Sequence, residues 1–380
     1  MIQIRPPQRR IRIWAAAAAC ALGLASPAAA QSGGTLGFVV RDWFNAIYES
    51  KFMDECPEGL NVANDEYWWR SLSREDRAKK TGNGTIQALD RHGQAVHRGP
   101  DNVDVCLNPT AVPPDGPFKL AEGKWSFGAN LDGTTDGHAT PKSCAHAKYT
   151  NPDGTPAVDN QMYRLLGCTY GWRSDGIVDL NANEMRGTSG LAMILVEITG
   201  VNEKDPRNSD NVTVTFYRSI DQFTIDSVGK PLPYSTYRIE TVNGKPRYAD
   251  ALKGKIKNGV LTTERGDVRL PFYGNYNFMR PVIKDLGLTL EIAADGRMAK
   301  GQITGYYDVE SLVYYATGLG NSVSISGFSC SSLNQAAHQL ADGYPDPKTG
   351  ACTMLSSAFN VTAYAAFVKH PEREERLTQR

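Results

Sequence analysis

Apolar and polar positions alternate through most of the chain after residue 118, and that alternation is the first guide to its structure. The runs 190–201 (GLAMILVEITGV) and 211–220 (NVTVTFYRSI) are rich in β-branched and aromatic residues. The polar stretch NEKDPRNSD joins them, which predicts a hairpin. Asn243-Gly244, Asn258-Gly259 and Asp295-Gly296 each sit between alternating runs. Such pairs supply the positive φ angles that tight hairpin turns require. Residues 124–131 and 359–368 read as further strands. Frequent strands, tight turns and no βαβ alternation predict a mainly β protein with an antiparallel sandwich or barrel-like core.

Two short helices are predicted near the C-terminus. One runs over 332–342, with Ser331 or Ser332 as cap, Leu333, Ala337 and Leu340 on one face, and Gly343 and Pro345 as its stop. The other covers 309–317 behind Asp308. Before residue 118 the spacing changes. Asp42 precedes Trp43, Phe44, Ala46, Ile47 and Tyr48 at helical intervals. Asn64-Asp65 similarly precedes Tyr67, Trp68, Trp69 and Leu72. Residues 78–117 are polar and turn-rich. The expected organisation is a leader at 1–30, an irregular, partly helical segment at 31–117, an antiparallel β domain at 118–369 and a charged tail at 370–380.

The leader changes the picture of charge and compartment. Arg5, Arg9, Arg10 and Arg12 precede an apolar run from Ile13 to Leu24, and Ala28-Ala29-Ala30 offers small residues for cleavage before Gln31. This reads as a bacterial secretory signal peptide, with a periplasmic or secreted destination. The 41 basic residues less its four arginines leave 37 against 41 acidic ones. A mildly acidic mature chain carries no electrostatic footprint for nucleic acid. The mature chain contains no apolar stretch of about 20 residues that would predict a membrane span.

Cys56, Cys106, Cys144, Cys168, Cys330 and Cys352 remain after the leader is removed. An even set in an oxidising compartment predicts three disulfides. Fifteen pairings are open, and the spacing suggests a sequential scheme: 56–106, 144–168 and 330–352. No CxxC, HxxxH or CxxCH pattern supports zinc or covalent haem.

Candidate chemistry concentrates in residues 130–187. Asp132 and Asp136, then Asp153 and Asp159, then Asp179, Asn181 and Asn183 lie in runs of short oxygen side chains broken by glycine. Alternate oxygens in a tight loop can converge on Ca²⁺ at about 2.3–2.6 Å. The run 179–183 matches the first ligand positions of an EF-hand loop, but Glu184 and Gly190 stand where that loop needs Gly and Glu. These seven residues are the candidate calcium ligands; Asx-turns are the competing use of the same residues. His138, Cys144 and His146 could instead join Asp136 around a transition metal, unless Cys144 is in a disulfide.

No nucleophile elbow, metalloprotease or phosphate-loop motif is present. Tyr306-Tyr307 and Tyr314-Tyr315 could pack or stack on sugars, and in a strand only one of an adjacent pair should face the core. The runs 159–168 and 341–350 look built for a purpose. The expected function is a disulfide-stabilised binding or accessory protein, its ligand a carbohydrate or another envelope component. The alternative is a secreted hydrolase or lyase acting on a polysaccharide or other polymer.

Overall fold

The computed structural model describes residues 33–61, 72–78, 100–114, 116–174, 176–189, 193–270, 272–274, 277–279, 281–317 and 330–371. The leader, the expected helix at 64–72, most of the 78–117 linker and most of the charged tail lie outside the described residues.

Eight strands carry the fold: β1 (Gly34–Asn45), β2 (Met193–Val201), β3 (Ser209–Ser219), β4 (Asp250–Lys257), β5 (Val260–Thr263), β6 (Val282–Ile292), β7 (Met298–Asp308) and β8 (Cys352–Lys369). Each pairs antiparallel with the next, and β8 returns to pair with β1, Phe38 opposite Ala365. Spatial order equals chain order, so this is a closed up-and-down barrel. Closure removes the exposed sheet edges that invite aggregation. Alternate residues such as Phe38, Val196, Val214, Leu288, Ile303 and Val361 fill the interior. An eight-stranded barrel is just wide enough for side chains to do so.

The expected hairpin turns form. Asn243-Gly244 and Asn258-Gly259 hold positive φ at both positions (52° and 72°, 53° and 84°). In the β6–β7 turn only Gly296 does so, at 69°.

Helix α1 (Gln161–Leu166) is capped by Asn160, whose side chain accepts from Tyr163 N. Helix α2 is Ile177–Ser189, α3 is Val309–Thr317 and α4 is Cys330–Leu340. Leu165, Leu166, Val178, Leu312 and Leu333 join the same apolar cluster as the barrel interior. Asp308 caps α3 as expected, accepting from Ser311 N at 2.7 Å.

Several local expectations are corrected. Residues 42–45 belong to strand β1, not to a helix. Phe38, Val39 and Val40 are all buried, because the outer face of β1 is covered too, so the period-two signal is lost. The barrel therefore takes its first strand from the segment expected to be irregular. Residues 124–131 make only isolated bridges, Trp125 to Thr150 and Ala129 to Asp159. Tyr306 and Tyr307 are both buried, since loops cover the outside of β7 as well as its inside.

All six cysteines among the described residues are bonded, but the sequential pairing is wrong: the bonds are Cys56–Cys168, Cys106–Cys330 and Cys144–Cys352. Their sequence separations are 112, 224 and 208 residues. Each long closure removes about 5 kcal/mol of unfolded-state entropy in the loop model, against about 3 for the expected short loops. No helix among the described residues is long and apolar enough to cross a membrane.

Candidate functional site

Four connecting segments, which hold Asp132, His146 with Lys148, Asp159 and Asp342, bring a polar cluster together, and a hydrogen bond from Ser356 ties it to β8. The loop at 130–137 is a series of Asx-turns. Gly133 N donates to Asn130 Oδ1 at 2.8 Å, and Thr134 N donates to Asp132 Oδ1 at 2.8 Å. These turns aim the Asp132 carboxyl inward. Gly137, at φ 74°, lets residue 146 approach; a Cβ there would lie 1.8 Å from the His146 carbonyl oxygen. Asp159 immediately precedes the cap of α1, and its Oδ2 accepts from Leu131 N at 2.7 Å. Asp342 follows α4, and its Oδ1 accepts from Ser356 N on β8 at 2.7 Å. Disulfide 144–352 and the hydrogen bond from Cys144 N to Asp342 O, 2.9 Å, lock these segments to one another.

Lys148 Nζ lies 2.5 Å from both Asp132 Oδ1 and Asp159 Oδ1. His146 Nε2 is 2.6 Å from Asp159 Oδ1, 3.6 Å from Asp342 Oδ2 and 3.8 Å from Asp132 Oδ2. Its other ring nitrogen, Nδ1, sits 2.8 Å from the Cys144 carbonyl oxygen. The side chains of Asp132, Asp159, Asp342, His146 and Lys148 are at most 7% exposed. A polymer substrate therefore has no access to them.

Burial pushes the Asp342 carboxyl up to about 6, against the pull of His146 and the Ser356 hydrogen bonds. Burial works the same way on Asp132, but hydrogen bonds from Lys148 and Thr134 outweigh it and hold that carboxyl below the usual range. Burial opposes protonation of His146, yet the Asp159 hydrogen bond and the Asp342 charge together raise it above the ordinary imidazole value.

Of the seven candidate calcium ligands, the structure unites Asp132 and Asp159. Among the described residues, these two and His146 form the cluster of metal-capable groups. Asp136 is exposed and bonds to His138 Nδ1 at 2.6 Å, apart from His146. Asp153 is exposed and accepts from Thr155 N. Asp179 and Asn183 lie on helix α2, where Asn181 also falls, rather than on a loop. Alternate positions of a helix are about 200° apart, unlike those of the tight loop in which EF-hand ligands converge. Asp179 and Asn183, four apart, instead serve the barrel. Pairing of β1 with β2 stops at Val39, which leaves an edge beyond it. Asn45 N donates to Asp179 Oδ2 at 2.8 Å, and Trp43 N donates to Asn183 Oδ1 at 2.8 Å. Asn183 Nδ2 completes the cover by donating to Trp43 O. Cys144 is engaged in a disulfide, which removes it as a metal ligand.

A second feature lies on the outer face of the barrel. A groove of about 750 Å³ crosses β5 to β8, with Phe127 on its lining. Thr262, Thr289, Gln302 and Asn360 are direct cross-strand partners in register, and all four line the groove. Gln302 Nε2 donates to Asn360 Oδ1 at 3.1 Å. At about 4.8 Å per strand, this row of hydroxyls and amides spans about 14 Å.

Sequence reasoning passed over Lys148 and Asp342 as site residues. The one available signal was the unusual run 341–350, which opens with Asp342. The groove row gave no signal, because its members are scattered over a hundred residues. Comparison with protein-family models, curated proteins and solved structures returned no match.

Proposed function

We propose that this chain is an exported binding protein of the bacterial envelope that holds an extended, hydroxyl-rich ligand, a saccharide chain, along the outer groove of its barrel. The observation that carries the reading is the in-register row Thr262–Thr289–Gln302–Asn360. Hydroxyl and amide side chains can both donate and accept, which suits sugar hydroxyls, and Phe127 offers an apolar surface for a ring face. Export is supported by the leader pattern and by three disulfides, which persist in oxidising compartments.

A binding role fits better than hydrolysis. Sugar hydrolysis needs a general acid whose carboxyl is kept protonated beside the substrate. The carboxyls raised to about 6, Asp179 and Asp342, are buried outside the groove. Of the two carboxyls that line the groove, Asp153 and Glu291, Asp153 is held below the ordinary range by hydrogen bonds from Thr155.

The test is affinity electrophoresis and calorimetry of the mature protein against soluble polysaccharides, with a Gln302→Ala/Asn360→Ala variant beside it. Retardation by at least one polysaccharide, lost in the variant at unchanged melting temperature, is the expected result. Equal binding by the variant, or release of reducing sugar by the wild type, would sink the reading.

A further inference from the structure

We propose that the buried cluster is a binding site for a borderline divalent cation of the Zn²⁺ type, held by His146 Nε2 with the carboxylates of Asp132 and Asp159, whose donor atoms lie within 4.8 Å of one another. The donor chemistry is one imidazole and two carboxyls, and imidazole suits zinc-like ions, whereas calcium takes oxygen ligands almost alone. Zn²⁺ bonds to such ligands at about 2.0–2.2 Å, which places tetrahedral ligand atoms about 3.3 Å apart. The distances from Nε2 to the two carboxyl oxygens, 2.6 and 3.8 Å, bracket that spacing.

The imidazole is already oriented for this task. Nδ1–H donates to the Cys144 carbonyl, which directs Nε2 at the carboxyls. A ligating histidine usually makes such a bond from its second nitrogen, and the bond sets the tautomer. Here the carbonyl belongs to a cysteine tied by a disulfide to β8, so the backbone that orients the ring is itself cross-linked.

Two further groups beside the three ligands lack a hydrogen-bond partner. Asp342 Oδ2 is buried, lies 3.6 Å from His146 Nε2 and accepts no hydrogen bond. The Tyr306 hydroxyl is fully buried, has no hydrogen-bond partner, and feels the charges of Asp342, Asp159 and Asp132. Buried polar atoms without a partner are rare and cost stability.

Lys148 has a defined place in this scheme. Its ammonium and His146 Nε2 both crowd onto Asp159 Oδ1, at 2.5 and 2.6 Å. Lys148 is the protein's own cation in the ion-free state, and the metal must displace it.

The experiment uses the mature, disulfide-intact chain, stripped with chelator and then titrated with zinc chloride or calcium chloride. Elemental analysis after gel filtration and competition with a chromophoric chelator are the readouts. The expected result is about one zinc per chain and a raised melting temperature, with no response to millimolar calcium. His146→Gln and Asp132→Asn should each weaken zinc binding by on the order of tenfold or more. Lys148→Met, which removes the competitor, should bind zinc at least as tightly as wild type and covers the case in which His146→Gln fails to fold. Sub-stoichiometric zinc in the wild type, unchanged affinity in a folded Asp132→Asn protein, weaker zinc binding by Lys148→Met, or an equal response to calcium would each overturn the assignment.

Discussion

The molecule holds two buried polar clusters built from the same residue types, and they are put to different uses. Around α2, Asp179 and Asn183 satisfy backbone groups of β1 that β2 does not reach. Every side-chain oxygen of that pair has a donor: Asp179 Oδ1 takes Asn45 Nδ2 at 3.1 Å, and Asn183 Oδ1 also receives Arg186 Nη1. In the cluster of Asp132, His146, Lys148, Asp159 and Asp342, two cationic side chains share one oxygen while Asp342 Oδ2 has no donor. The first is closed for the oxygens of Asp179 and Asn183, although Arg186 Nε beside them has no hydrogen-bond partner, and the second is open at a carboxylate oxygen. Acid-rich composition therefore says little about ligand binding; leftover donors and acceptors after the backbone is served say more.

The difference can be broken at several points. Replacing both Cys144 and Cys352 with serine should cost the most, about 5 kcal/mol by the loop model, and should loosen only the His146 cluster. Denaturant unfolding without reductant gives the total. Hydrogen exchange should rise near residues 132–159 and stay unchanged in α2; a rise in both would erase the distinction.

The α2 cluster has a pH signature. Burial raises the Asp179 carboxyl from 3.8 to about 6 despite two hydrogen bonds from Asn45. The native state thus binds the proton more tightly than the unfolded chain does. Its contribution favours folding at low pH and is lost as pH rises from about 4 through about 6. Asp179→Asn should remove that slope, so wild-type stability relative to the variant falls by about 3 kcal/mol between pH 4 and pH 7. A flat difference would show that the carboxyl is not desolvated as described.

Asn183→Leu should cost about 2 kcal/mol, since it leaves Trp43 N and O without partners in a buried place. The smallest effect belongs to the open cluster. With chelator present, Asp342→Asn should shift stability by less than about 1 kcal/mol, because Oδ2 has no hydrogen bond to lose and the amide oxygen can keep the Ser356 bond. A loss as large as that of Asn183→Leu would mean that the two clusters are equally closed.

The hairpins were legible because Asn-Gly turns and alternation are local signals, and the helices α3 and α4 likewise, although Ser331 and Ser332, read as the cap of α4, lie inside it. The β1 strand was not legible, since apolar residues on both of its faces imitate helical spacing. Among the site residues, Asp132 and Asp159 stood out in acid-rich runs, but so did Asp136, Asp153 and Asp179, which perform local or capping work. Nothing in the neighbourhood of residue 148 or 342 announced that they would meet, because 194 positions separate them.

Residue order alone determined that this chain would form antiparallel hairpins and bond the six cysteines after residue 30, because turn chemistry, side-chain period and cysteine parity act over short stretches. Which cysteines pair, which aspartates meet a histidine, and which outward rows line one groove were decided only when the barrel closed. Closure brings the last strand beside the first, and the contacts it creates join segments hundreds of residues apart that no short-range pattern can link.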